Sequence, residues 1–243
     1  KTINSCEIRK NIGIVGDRIF AFSKGLDFNQ AQLFEKKLEE RRGKWNKILT
    51  LKNSPSLNKF NFRFDNNKLT LTQNNNEILT ISSDETSEHE LLSNKILELE
   101  NSIKKPIFFM KNKDVPFFDT SISNKTVLTH SISFINNKSI EDLKNKTNQT
   151  IENQRFRGNI YADGIEAWEE RNWIGKIIKI NNISFKVEKN IPRCVAINLK
   201  PNSDDNSLNL LQSLKKTYNH FDMGIYLTAL DDGPINIGDN ILL

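Results

Sequence analysis

Phe60-Asn61-Phe62-Arg63-Phe64 alternates apolar and polar residues, the period-two pattern of a half-buried strand. Asp65-Asn66-Asn67 then turns into Leu69-Thr70-Leu71-Thr72, and Asn74-Asn75-Asn76 turns again into Ile78-Leu79-Thr80-Ile81. Asn and Asp tolerate the backbone of tight turns, so the segment reads as a three-stranded β-meander. Upstream, Ile12 to Phe22 is strand-rich around Gly16-Asp17-Arg18. Downstream, Thr126-Val127-Leu128-Thr129, Lys176 to Ile180, Ile183 to Val187, Cys194 to Leu199, Gly224 to Leu230 and Ile237 to Leu242 all read as strands.

Helices interrupt this pattern. Asn29 to Arg42 is rich in Gln, Ala, Leu, Glu and Lys and ends at Gly43, which predicts a short, charged, solvated helix. Ser87 with Glu90 fits a capping box, and Leu92, Ile96, Leu99 and Ile103 repeat at helical spacing until Pro106. A short helix is expected from about Ser139, capped by its own hydroxyl, with Glu141 and Asp142 in the first turn. Leu208, Leu211, Leu214 and Tyr218 share one face of another. The order of strand, helix, strands, helix, strands argues for a mainly β, α+β fold rather than a doubly wound parallel sheet. The expected division is a β-barrel-like domain over residues 1–123 and a second barrel domain with a few helices over 124–243.

At 243 residues the chain suits two ordinary domains, and 37% hydrophobic with 27% charged residues is a globular composition. No apolar run approaches membrane-spanning length, which points away from a membrane partner. The chain opens Lys1-Thr2-Ile3-Asn4-Ser5 without an initiator Met or an apolar signal segment, so a few native residues, and with them a first strand, are expected to precede it. Cys6 and Cys194 stand far apart in dissimilar surroundings; no disulfide framework is expected, and a reducing cytoplasm fits. Two cysteines also exclude an intrinsic four-cysteine cluster. The net charge of +5 permits polyanion binding, but no recognition-helix or aromatic sheet motif accompanies it, so nucleic acid is not expected as a partner. His89, His130 and His220 are too dispersed for a zinc motif, and no glycine-rich phosphate loop is present.

The most informative stretch runs from Arg155-Phe156-Arg157-Gly158-Asn159-Ile160 through Gly164-Ile165-Glu166-Ala167-Trp168-Glu169-Glu170 and Trp173-Ile174-Gly175 to Pro192-Arg193-Cys194. Gly224-Ile225-Tyr226 and Gly238-Asp239 come after it. Cys194 stands after Arg193 at the start of an apolar run, where an adjacent cation favours the thiolate, a soft metal ligand. Taken alone, a single Cys in a strand is ordinarily a buried small hydrophobe, the reading Cys6 keeps. Glu166 and Glu169 beside Trp168 and Trp173 have the look of a glycosidase acid–base pair, but helix-like spacing with one solvent face explains them more simply.

In order and spacing these pieces resemble the MOSC domain, related to the C-terminal domain of molybdenum-cofactor sulfurases, over roughly Thr126 to Leu243. Gly16-Asp17-Arg18 with Ile19-Phe20-Ala21-Phe22, Phe118-Asp119 and Leu128-Thr129-His130-Ser131 resemble the barrel domain and junction that precede MOSC in the amidoxime-reducing subgroup. Asn29 to Arg42 departs from that subgroup, whose members commonly carry a short strand with a Thr-x-Arg-like motif there. The resemblance implies a molybdenum cofactor between the two domains, with Cys194 as metal ligand and catalytic residue. Cofactor contacts are implied at Lys1, Thr2 and Arg18, at Thr129, His130 and Ser131, and at Arg157, Asn159 and Arg193. Pyridoxal phosphate binding is a further family-level association. The implied activity is reduction of small N-hydroxylated substrates such as hydroxylamines, amidoximes and N-hydroxylated bases. A cofactor carrier without turnover and a sulfurtransferase with a Cys194 persulfide stay open beside it. The implied partner is a separate ferredoxin-like or flavodoxin-like electron donor with its reductase.

Overall fold

The computed structural model describes residues 3–118 and 130–243. The strand expected at Thr126 to Thr129, the junction at Asp119 and the boundary between residues 123 and 124 lie outside the described residues.

The N-terminal half runs β1 (Ser5–Arg9), β2 (Gly13–Ile14), β3 (Phe20–Lys24), α1 (Phe28–Lys36), α2 (Leu38–Arg41), β4 (Phe60–Asp65), β5 (Lys68–Gln73), β6 (Asn76–Ser82), α3 (Thr86–Leu99) and β7 (Ile107–Lys111). The remainder runs β8 (Ile132–Asn136), α4 (Asn137–Thr147), β9 (Ile160–Ala162), β10 (Ile177–Ile180), β11 (Ile183–Pro192), α5 (Leu210–Tyr218), β12 (Asp222–Ala229), β13 (Gly233–Asn236) and β14 (Ile241–Leu242). The fold is mainly β of the α+β kind, as the order of elements predicts. Among the described residues no helix is long and apolar enough to cross a membrane.

The chain forms two compact units. The first takes the described residues up to Asp17, from His130 to Asn198 and from Asn206 to Leu243. Its six-stranded sheet has the order β14-β10-β11-β12-β8-β9, antiparallel except where β9 lies parallel to β8. A smaller sheet, β13-β1-β2, places N-terminal residues beside C-terminal ones, with Cys6 opposite Ile235. Alternate residues of the strands fill one core with Phe134, Ile178, Phe185, Val187, Ile225 and Leu227. A second core lies where α4 and α5 bury Ile140, Leu143, Leu210 and Leu214 with Phe156 and Ile197. Strands β12 and β8 approach so closely that a Cβ on Gly224 would stand 2.3 Å from the Phe134 carbonyl oxygen, and Gly224 has a φ of +78°.

The second unit takes Arg18 to Phe118 and Leu199 to Asp205 among the described residues. The predicted meander is present as β4-β5-β6, and a two-stranded sheet pairs β3 with β7. In β4 only Phe60 is buried; Phe62 and Phe64 are exposed at one face and meet the rings of Phe22 and Phe20. Helix α3 buries Leu92, Ser93 and Ile96.

Several local expectations are corrected. The charged segment is two helices broken at the extended Lys37, not one helix. It is not merely solvated, for Ala31, Phe34 and Arg41 are buried. Arg41 turns back to donate to the carbonyls of Phe34 (2.7 Å) and Glu35, which α1 leaves unmet at its end. Ser87 caps nothing: the N-cap of α3 is Glu85, with no side-chain bond. The N-cap of α4 is Asn136, whose side chain accepts from the Lys138 N–H at 3.0 Å, so Ser139 is one turn inside. Ile12 to Phe22 divides into β2 and β3, and Ile237 to Leu242 is strand only at β14.

Gly224→Ala combines left-handed backbone strain with a clash against main chain. It is expected to cost about 2–4 kcal/mol and lower the urea midpoint accordingly. An unchanged midpoint would contradict the close β12–β8 approach.

Candidate functional site

Strand β11 reaches its end through two register shifts, between Val187 and Lys189 and between Asn190 and Pro192. Such bulges bend a strand and re-aim the chain that leaves it. Pro192 pairs with Asp222, and the Arg193 N–H donates to the Phe221 carbonyl at 2.9 Å. Cys194 then heads a 3-10 turn, Val195–Asn198, with the Ile197 N–H donating back to the Cys194 carbonyl at 3.2 Å. The strand expected from Cys194 to Leu199 is therefore a turn. The run is apolar, but its carbonyls find arginines instead of a neighbouring strand.

Arg155, fully buried, donates from Nη1 to the Asn198 carbonyl at 2.6 Å and from Nε to the Glu152 carboxylate at 2.6 Å. Arg157, in the left-handed region at φ 48°, donates from Nη1 to the carbonyls of Ala196 (2.7 Å) and Arg155 (2.9 Å). Arg193 donates from Nη1 to the Phe156 carbonyl and from Nε to the Met223 carbonyl, both at 2.8 Å, with Nη2 on Met223 as well. Three guanidiniums thus tie the Cys194 turn to the 153–157 segment and to β12. Gly158 fits beside them because a Cβ there would stand 2.4 Å from Ile135. Tyr161 closes this segment: its hydroxyl accepts from the Gly158 N–H (2.9 Å) and donates to the Asn153 carbonyl (3.1 Å).

Burial pulls the Arg193 guanidinium down to about 10, against the charges of Tyr226, Tyr161 and Cys194. Burial also lowers Arg157, against Cys194 and Tyr161. At about 10, Arg193 is a cation at neutral pH. Cys6 differs. It packs against the first unit's core, and burial, then the charges of Asp17 and Glu7, push its thiol up. Both cysteines are free thiols.

The structure brings some of the sequence-predicted residues together and leaves others apart. Cys194, Arg193 and Arg157 come together, Arg193 as the preceding residue and Arg157 through its bond to the Ala196 carbonyl two residues on. Asn159 lies two residues from Arg157, with its Oδ1 accepting from the Ser133 N–H (3.0 Å) and hydroxyl (2.8 Å) and its Nδ2 donating to Asp17 (3.3 Å). Half-buried His130 and buried Ser131 directly precede β8. Arg18 belongs to the other unit, with its guanidinium 5.0 Å from the Phe118 ring centre. Lys1, Thr2 and Thr129 lie outside the described residues. Glu166 and Glu169 face solvent as expected, but in a turn and the 3-10 segment Glu169–Trp173 rather than a helix.

Arg155 and Tyr161 at the Cys194 turn and its neighbouring segment, and Glu170 at α4, are structural supports that sequence reasoning did not single out. Glu170 is fully buried, accepting from Ser139 Oγ and Asn136 Nδ2 at 2.9 Å each, and burial raises its carboxyl. The alternation of Arg155 and Arg157 about Phe156 carries a signal for the first. Nothing local marks the others.

The donor set is one half-buried thiol with two half-buried cations beside it. Among the described residues no three His, Cys, Asp or Glu side chains stand together to hold a metal ion by themselves. Such a set suits an anionic group that brings its own sulfur-ligated metal and needs one further soft donor. Iodoacetamide at about pH 7 is expected to alkylate Cys194 before Cys6, because the raised Cys6 thiol is the poorer nucleophile. Peptide mass spectrometry checks the order, and faster labelling of Cys6 would contradict it.

A family model described as "MOSC domain" matches residues 121–242, half of the chain. No curated protein matches. Among solved structures, the crystal structure of YiiM from Geobacillus stearothermophilus is similar at 16% identity and a TM-score of 0.36, over 46% of this chain and 53% of that one. The match thus spans about half of the YiiM chain. Given the model match and the Cys194 turn that lies within it, the chain belongs to the MOSC domain family, related to the C-terminal domain of molybdenum-cofactor sulfurases.

Proposed function

We propose that the chain is a molybdenum-cofactor-binding oxidoreductase that reduces small N-hydroxylated compounds. The observation that carries this reading is Cys194, presented at the head of a turn whose carbonyls are taken by Arg155 and Arg157, with Arg193 as a second cation beside it. When bound, the cofactor supplies two-electron redox chemistry. Cys194 Sγ offers the soft protein donor, and Arg157 and Arg193 offset the negative charge of the thiolate and of the cofactor's phosphate. Tyr161 and Gly158 keep the Arg157 turn closed against β8.

The test is molybdenum content per chain after expression in a cofactor-competent host and extensive dialysis. Cys194→Ser is expected to keep the fold and lose both metal and benzamidoxime reduction, since a hydroxyl is a poor soft-metal ligand. Arg157→Ala, by removing a charged donor worth about 1.5–3 kcal/mol, is expected to weaken retention about ten- to hundredfold. Full occupancy in Cys194→Ser would refute the ligand role. A metal-free parent chain that releases sulfide would replace the reading with sulfur transfer, and metal retention without turnover would replace it with a carrier.

We further propose that electrons arrive from a separate ferredoxin-like or flavodoxin-like carrier. Within this sequence Cys6 and Cys194 cannot supply four cluster ligands, and a net charge of +5 suits an acidic donor. With cofactor-loaded protein, NAD(P)H alone should give no turnover, and adding a reductase with its small carrier should start it. Turnover with NAD(P)H and this chain alone would contradict the proposal.

A further inference from the structure

His220 comes directly after the left-handed cap of α5 at Asn219 and is half-buried among partners of one kind. The Asp222 N–H donates to its Nδ1 at 3.1 Å, and Arg171 Nη1 stands 3.1 Å from its Nε2. Both partners are donors only. A neutral imidazole has one lone pair to offer and a protonated one has none, so the surroundings favour the neutral ring and oppose a second proton.

Two aromatic rings also pack against the imidazole. Tyr218, at the end of α5, stacks on it with centroids 5.7 Å apart, and Trp168 meets it edge-on at 5.8 Å. Those two are fixed in turn: Tyr218 Oη and Trp168 Nε1 donate to the Asp142 carboxylate at 2.7 and 2.8 Å, and Lys146 pairs with Asp142 at 3.0 Å. Of the charged groups that face the imidazole, Arg171 and Lys215 oppose a proton on it. Asp222 favours one, but it is shared with Arg171 at 3.6 Å. Burial first, then Arg171, hold the ring below the usual imidazole range.

The next three residues carry the anchor of the Cys194 turn. The Phe221 carbonyl accepts the Arg193 N–H at 2.9 Å, Asp222 pairs with Pro192, and the Met223 carbonyl accepts the Arg193 guanidinium. We propose that His220 is a positioning residue for Cys194: its neutral imidazole fixes the 221–223 backbone on which Arg193 is anchored, and its protonation releases that anchor. The proposal rests on Cys194 being the functional thiol. The sign comes from the direction of the shift: a depressed imidazole contributes fully above about pH 6.5, and the contribution is lost as pH falls through the folded-state value.

Amide hydrogen exchange of the full metal-free chain, corrected for intrinsic rates and read at Arg193 and Asp222 at about pH 5 and about pH 7.5, tests it. Protection is expected to fall about tenfold at the lower pH, the loss of one hydrogen bond. His220→Asn supplies an oxygen that accepts from the N–H two residues on and does not titrate, so protection should persist at both pH values. His220→Leu should lack the protection at both. Equal protection of Arg193 at the two pH values in the parent chain, or an unchanged pH dependence in His220→Asn, would overturn the proposal. Because the readout needs no metal, its failure leaves the Cys194 ligand assignment standing, and failure of the molybdenum-retention test leaves the exchange result standing.

Discussion

Main-chain carbonyls that neither sheet nor helix satisfies need donors when they are buried, and around Cys194 those donors are arginines. Among the described residues no strand pairs with the turn that carries Cys194. Its carbonyls at Ala196 and Asn198 go to Arg157 and Arg155, and the chain entering it is held by Arg193 on Phe156 and Met223. These bonds add to the Arg193 N–H on the Phe221 carbonyl and the burial of Ile197 in fixing where the thiol stands. Guanidinium suits the task because one planar group reaches carbonyls on two segments at once, which a lysine ammonium on a flexible stem does poorly.

The same arrangement sets the electrostatics. Arginines that brace a turn from within lose part of their water, and this desolvation draws Arg157 and Arg193 below their usual range while leaving Arg193, at about 10, charged at neutral pH. A positive frame is therefore built into the support of the thiol rather than added to it. Cys6 shows the contrast, since on β1 burial, and then the charges of Asp17 and Glu7, work together to keep the proton on sulfur.

What could be read from the sequence depended on how local its cause was. The β4-β5-β6 meander was legible because alternation and Asn-rich turns are written within a few residues of each other. Helix α5 was legible from Leu208, Leu211, Leu214 and Tyr218 in the same way, although Leu208 lies before its N-cap at Asn209. The Cys194 turn was not. An apolar Val195-Ala196-Ile197 reads as strand, and only arginines distant in sequence make it a turn. Ser139 misled for a like reason: its hydroxyl donates to Glu170 and accepts from the Trp168 N–H instead of capping α4. Of the candidate site, Cys194, Arg193 and Arg157 were named through the MOSC pattern, and Arg155 is marked only by its alternation with Arg157, whereas Tyr161 is set by packing that no local pattern encodes.

The central claim is that the Cys194 thiolate completes the coordination of a metal that arrives with its own sulfur ligands. X-ray absorption at the molybdenum edge of cofactor-loaded protein measures the sulfur shell directly. The expected shell is about three sulfurs in the parent chain, two from the cofactor and one from Cys194, falling to about two in any residual metal held by Cys194→Ser. A two-sulfur shell in the parent chain, unchanged by the substitution, would contradict it.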